Sequence, residues 1–189
     1  MPLRATDNPL VLPLLGLLLE QPRHRYALLT ELRGRYRHLR VRTGSVYTLV
    51  GSLQEVDWIE PVDHKTGTVE KPHTDFRLTP TGVAEFCNKV SNDLEDANLA
   101  NAMSFLTALA YISILNRQDA AATLQRRIDA LQQRADELEQ ALHTAATVPV
   151  RMVEVAYAVS QTRHDITWLD NLITQITDPA YEWPTDPQE

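Results

Sequence analysis

The 189-residue chain has one cysteine and six glycines, and each scarcity excludes something. Cys87 has no second thiol to pair with, so no internal disulfide is available. A single cysteine fits a reducing cytoplasm and a packing role. No glycine-rich phosphate loop and no Gly-x-Ser-x-Gly elbow is present. The longest apolar run, Leu10 to Leu19, is interrupted by Pro13 and Gly16 and is too short to span a bilayer. No basic segment leads into a small-residue cleavage site, so no secretion signal is expected. The six histidines form no metal-spaced cluster, and His143 and His164 fall within long helical patterns. No catalytic residues, metal or cofactor are therefore expected, and an enzyme is not the favoured reading.

What is present is an uneven charge. The net charge is −7, yet residues 1–90 hold 12 Lys+Arg against 10 Asp+Glu, while residues 91–189 hold 6 against 15. Between Arg23 and Arg42 lie seven arginines with Glu31 as the one acid. Clustered arginine is the electrostatic footprint of phosphate binding; the bland alternative is a solvated helix end.

Asn8-Pro9 opens a helix that Leu10 to Glu20 continues, apolar nearly all round, with Pro13 expected to kink its first turn or move its start. Arg23 to Tyr36 gives a second helix. In Val41 to Pro61, Thr43 or Ser45 is expected to cap a third, with Val46, Leu49, Leu53 and Val56 as its apolar stripe. Its first turn is small and polar, with Arg40 and Arg42 just before it. Such a helix can enter a DNA major groove, and the alternative is an ordinary surface helix before a hairpin. Ile59–Val62 and Thr74–Leu78 read as the two arms of that hairpin, with Lys65 and Lys71 near its tip. Thr79 caps the next helix, with Pro80 at its first position.

From Val83 to Thr177 the pattern is helical. Leu124, Ile128, Leu131, Ala135, Leu138 and Leu142 step 4-3-4-3-4. Val155, Val159, Thr162, Ile166, Leu169, Ile173 and Ile176 do the same, and Tyr157, Gln161, His164, Trp168 and Leu172 form a second stripe on that helix. Two stripes call for two neighbours, one inside the chain and one in a second copy. The expected fold is mainly α with a small β-hairpin wing. Residues 1–90 form a winged helix-turn-helix, 91–177 form long antiparallel, coiled-coil helices for dimerisation, and 178–189 form a disordered tail, apart from Tyr181 and Trp183.

With these elements in place the chain resembles the PadR family of transcription regulators. Four stretches carry the resemblance: His24 to Leu29, Thr43 to Tyr47 (Thr-Gly-Ser-Val-Tyr), Leu53 to Ile59, and Phe76 to Gly82 (Phe-Arg-Leu-Thr-Pro-Thr-Gly). Arg25 stands where the family prefers glycine, Thr48 where it has proline, and Asp57 where it has a turn glycine. The resemblance implies a homodimeric DNA-binding regulator, usually a repressor released by a small molecule or stress signal. The expected partners are a near-palindromic duplex operator, a second copy and a small-molecule effector, with no membrane.

On that reading Tyr26, Arg40, Arg42, Tyr47, Lys65 and Lys71 hold phosphates, with Arg25 adding a further contact. Thr43, Ser45 and Thr48 face bases. Leu124, Ile128, Leu131, Leu138, Val159, Ile166, Leu169 and Ile173 serve dimerisation. Phe105, Tyr111, Tyr157 and Trp168 are candidate ligand walls, with packing in a helical core as their alternative. A helical adaptor without specific DNA binding is the competing function; it leaves the arginine patch without a role.

Overall fold

The structure, a computed structural model, describes residues 8–37, 39–62, 74–98 and 102–184. Contacts divide the chain into two compact units that meet in sequence at Val90 and Ser91.

The first unit begins with α1 (Val11–Glu20), whose residues from Val11 to Leu18 are all buried. The Asn8 side chain accepts the Leu10 N–H at 2.9 Å, and the Asn8 carbonyl accepts the Val11 N–H at 2.9 Å. Starting at Val11 places Pro13 in the first turn, where no amide is owed to a preceding carbonyl. Of the two expected outcomes, a kinked first turn or a later start, the helix takes the later start. Strand β1 (Arg23–His24) was not legible as a strand, and α2 (Arg25–Arg35) follows it directly. The His24 Nδ1 accepts the Ala27 N–H at 3.2 Å and caps α2.

Helix α3 (Thr43–Glu55) buries Val46, Leu49, Val50 and Leu53. Val50 thus belongs to the core, whereas Val56 lies beyond the helix and is exposed. The N-cap is Arg42, with no side-chain cap bond, so neither Thr43 nor Ser45 closes the helix as expected. At the other end the Trp58 N–H donates to the Leu53 carbonyl (2.9 Å) and the Asp57 N–H to that of Gln54 (3.1 Å), a Schellman closure. Asp57 pays for this with φ of 59°. That left-handed position explains why a glycine suits it. Asp57→Gly is accordingly expected to stabilise the unit by roughly 0.5–1 kcal/mol, read as a few degrees of added melting temperature in calorimetry.

Strands β2 (Ile59–Val62) and β3 (Asp75–Leu78) pair antiparallel from Ile59 opposite Leu78 to Val62 opposite Asp75. Strand β1 pairs with the other edge of β3, giving the order β1-β3-β2. Pro61 lies on an edge strand, where its missing N–H is tolerated. Glu60 and Arg77 face each other in register and form an ion pair at 2.7 Å. Helix α4 (Pro80–Glu95) starts as expected: the Thr79 Oγ1 accepts the Gly82 N–H at 2.9 Å and donates to the Asp57 carbonyl. Thr79 thereby fixes the α3 turn and the α4 start together. Ile59, Phe76 and Phe86 are buried in this unit, as are Leu12, Leu15, Leu28 and Leu53.

In the second unit α5 (Ala102–Leu109) and a short 3-10 turn lead to α6 (Arg117–Thr144), capped by Asn116, and α7 (Val153–Thr177). Helices α6 and α7 run antiparallel. Arg163 reaches across to Gln132 (2.9 Å), Asp136 (3.0 Å) and Glu139 (3.0 Å). Near the other end, the Arg117 guanidinium donates to the carbonyls of Ile176, Asp178 and Tyr181 at 2.6–2.8 Å. The Trp183 indole donates to the Leu115 carbonyl at 3.1 Å. The described start of the tail, 178–184, is therefore tied down at Asp178 and at Tyr181 and Trp183, the two residues excepted from the expected disorder. Arg117 was the unseen cause.

Leu124, Ile128, Leu131 and Leu169 are buried within the single chain. Both 4-3 seams are thus spent largely on each other, and these four side chains present no surface to a second copy. Leu138, Val159, Ile166 and Ile173 are half-buried. The second stripe of α7 is the open one, with Tyr157 at 70% and Trp168 at 46% exposure. No described helix is long and apolar enough to cross a membrane.

Candidate nucleic-acid interface

The first turn of α3 presents Thr43, Gly44, Tyr47 and Thr48 to solvent, with Ser45 half-buried between them. Val46, Leu49 and Val50 anchor the opposite face in the core, so the polar face points outward by the same helical period that buries the apolar one. With no side-chain cap, the first amide groups of α3 stay open. A helix start with open N–H groups and nearby cations suits an anion.

The arginine patch is smaller than its sequence count. Glu20, at the end of α1, reaches Arg35 (2.5 Å) and Arg23 (2.9 Å), and Glu31 reaches Arg35 at 2.9 Å. Burial opposes ionisation of Glu20, but Arg35 and Arg23 outweigh it and hold the carboxyl below its usual range. Arg33 donates to the Val41 carbonyl (3.3 Å) and to the Thr43 hydroxyl (3.2 Å), tying the end of α2 to the start of α3. Three of the seven arginines are thus structural. Arg37, Arg40 and Arg42 are exposed. Neither Arg40 nor Arg42 makes an ion pair among the described residues.

Arg25 takes a different position. Its guanidinium stands 5.8 Å from the Tyr47 ring centroid and 5.3 Å from that of Phe76, between α3 and β3. It lines an open groove of about 650 Å³ with His24, Tyr26, Tyr47, Gln54 and Phe76. Tyr26 is 64% exposed and stacks parallel to His24 at 6.5 Å. Sequence reasoning found Arg25, Tyr26 and Tyr47 but missed His24, Gln54 and Phe76. Phe76 comes from β3, distant in sequence, and the pairing of β1 with β3 is what brings it beside the start of α2. Lys65 and Lys71 lie outside the described residues.

The candidate ligand walls separate. Phe105 and Trp168 line one cavity in the second unit; Tyr111 and Tyr157 do not. Among the described residues no group of three His, Cys, Asp or Glu could hold a metal ion. Cys87 is half-buried, and burial pushes its thiol up.

Residues 14–88 match the model of the transcriptional regulator PadR-like family. The match covers 75 of the 189 residues and lies within the N-terminal unit. This segment runs from α1 into α4 and contains every described residue of the groove and of the α3 start. Among solved structures, the chain is similar to Bacillus subtilis PadR in complex with operator DNA, at 17% identity over 89% of this chain and 99% of that one, with a TM-score of 0.37. It is also similar to Bacillus subtilis PadR in complex with p-coumaric acid (16% identity, 90% and 100% coverage, TM-score 0.36). A PadR-like transcriptional regulator from Bacillus cereus matches at 14% identity, 88% and 96% coverage and a TM-score of 0.37. No curated protein matches the chain.

Proposed function

We propose that this PadR-like chain is a homodimeric, sequence-specific DNA-binding regulator, acting in the cytoplasm as a repressor that a small molecule relieves. The observation that carries the reading is the start of α3: an uncapped, exposed, polar helix end with Arg40 and Arg42 beside it. In the proposed complex this end enters the major groove. Thr43, Ser45 and Thr48 address base edges, while Arg25, Tyr26, Arg40, Arg42 and Tyr47 hold phosphates. The Arg33 bond to the Thr43 hydroxyl presets that side chain before DNA arrives. Two copies join through the second unit, with the open stripe of α7 around Tyr157 and Trp168 as the surface left to a partner. The regulated step is a change in DNA affinity, set by how much better the effector binds one state than the other.

A two-fold related pair of α3 helices predicts a two-fold symmetric footprint, with half-sites about 34–36 Å apart or a multiple of that. Hydroxyl-radical footprinting together with the mass of the complex tests it. Two chains per footprint with that spacing support the reading; one chain on an asymmetric site contradicts the dimer.

Arg25 separates two contributions. Arg25→Ala should lower the slope of log K against log salt by about 0.9, the share of one phosphate contact. Arg25→Lys keeps the charge and should restore the slope. Fluorescence anisotropy at several salt concentrations reads both variants.

A further inference from the structure

Helix α7 spends one face on α6 and leaves a second face open. On the open face Tyr157, Gln161, His164 and Trp168 are exposed, and Asn171 and Gln175 continue the same 4-3 spacing. A seam of this period that stays open along its length calls for another helix. It carries a knob near one end and a hole near the other. The knob is Tyr157, 70% exposed. The hole is an open hollow of about 460 Å³ lined by Trp168, Asn171, Leu172 and Gln175, with Thr174 at its edge. The first four stand at i, i+3, i+4 and i+7, the set of four neighbours that receives a partner's side chain in coiled-coil packing.

Spacing along α7 decides how a second copy can use this seam. Tyr157 lies seven residues before His164, and the hollow is centred seven to eight residues after it. With a rise of about 1.5 Å per residue, each stands about 11 Å from His164. A two-fold axis through His164, perpendicular to α7, therefore carries each copy's Tyr157 onto the other's hollow. The same operation sets His164 beside its counterpart in the second copy. Two parallel α7 helices would instead set Tyr157 against Tyr157 and hollow against hollow, so that neither hole is filled. Antiparallel alignment also opposes the two helix dipoles. The apolar area suffices. A standard interface takes about 800 Å² from each partner, about 57% of it apolar. Val150, Val153, Tyr157, Trp168 and Leu106, which lines a cavity with Trp168, are 46–74% exposed. Between them they offer roughly 400 Å².

We propose that two copies join through an antiparallel pair of α7 helices whose two-fold axis passes at His164, each Tyr157 filling the hollow between Trp168 and Gln175 of the other copy. This rests on the homodimer of the proposed function and gives it a register. It does not depend on DNA binding.

The test uses the DNA-free full-length chain carrying Cys87→Ser, so that every thiol is an added one. Three variants are made on it: His164→Cys, Tyr157→Cys, and Tyr157→Cys together with Leu172→Cys. A short bismaleimide joins neighbouring thiols, and a denaturing gel reads the covalent dimer. Analytical ultracentrifugation gives the mass and dissociation constant of the chain without added thiols. The expected result is a dimer that His164→Cys cross-links in high yield. Tyr157→Cys alone should stay single, and the Tyr157→Cys, Leu172→Cys pair should cross-link. Tyr157→Ala, at an exposed position that the fold does not use, should raise the dissociation constant about a hundredfold, tenfold for each of the two knobs. Self-cross-linking of Tyr157→Cys would reveal a parallel pair and overturn the proposal. A dimer that His164→Cys fails to cross-link, or whose dissociation constant Tyr157→Ala leaves unmoved, overturns the register and leaves the homodimer standing. A chain that stays monomeric overturns both.

Discussion

Gly82→Ala is expected to lower the melting temperature of the N-terminal unit by roughly 15 °C or more, a loss of about 3–4 kcal/mol in a unit of this size. A Cβ at this position would overlap the Trp58 carbonyl oxygen and stand 2.7 Å from its carbonyl carbon and 3.1 Å from its Cα. All three are backbone atoms. The carbonyl has little freedom to retreat, because it accepts the Thr79 N–H at 3.0 Å while the Trp58 N–H closes α3 through Leu53. Nor can α4 slide away, since the Gly82 N–H is held by the Thr79 hydroxyl, which is bonded onward to the Asp57 carbonyl. Relief would mean breaking the α3 closure or the α4 cap, and a domain with about 5–15 kcal/mol in hand loses much of it either way. Gly51→Ala is the control. Nothing lies within 4 Å of a Cβ there, so alanine's helix preference should stabilise by up to about 1 kcal/mol. Calorimetric melting of both variants checks the pair. A Gly82→Ala protein melting within a degree or two of the wild type would contradict the tight α3–α4 corner.

The second large effect is on DNA. Arg40→Ala with Arg42→Ala should flatten the salt dependence of binding. Each phosphate contact contributes about 0.9 to the slope of log K against log salt. Two lost contacts therefore remove about 1.8, so the fall in affinity between 50 and 200 mM salt shrinks by about tenfold. Both side chains are exposed and free of described ion pairs, so the fold should be undisturbed. The paired Arg23 and Arg35 supply the contrast. Their charges are already met by Glu20 and Glu31, and replacing them should change the slope far less. An unchanged slope in the Arg40 and Arg42 variant would remove these two residues from the interface.

Local signals in the sequence were read well. The Thr79-Pro80 start of α4, the apolar periods of α3, α6 and α7, and the arms of the hairpin are each set by residues within a turn or two of one another. The misses share one physical origin: partners far apart in the chain. Strand β1 exists because β3, some 50 residues later, pairs with Arg23 and His24. Glu20 neutralises Arg23 and Arg35 from the preceding helix, so a count confined to Arg23–Arg42 overstates the free charge. Arg117 holds the tail from about 60 residues away. The 4-3 seams were legible as seams, but periodicity alone does not say whether α6 meets α7 or a second copy. Burial assigns Leu124, Leu131 and Leu169 to the former. At the candidate interface the sequence supplied Arg25 and Tyr47, while the groove between them depends on Phe76 and on β-pairing.

The most direct test of the central claim is selection of duplexes from a random-sequence pool by the full-length chain at physiological salt. The account predicts enrichment of a near-palindrome whose half-sites match the spacing of two α3 helices, bound about 10³-fold or more above the starting pool. A pool that stays random after repeated rounds, with only weak salt-labile binding, would contradict a sequence-reading role for α3.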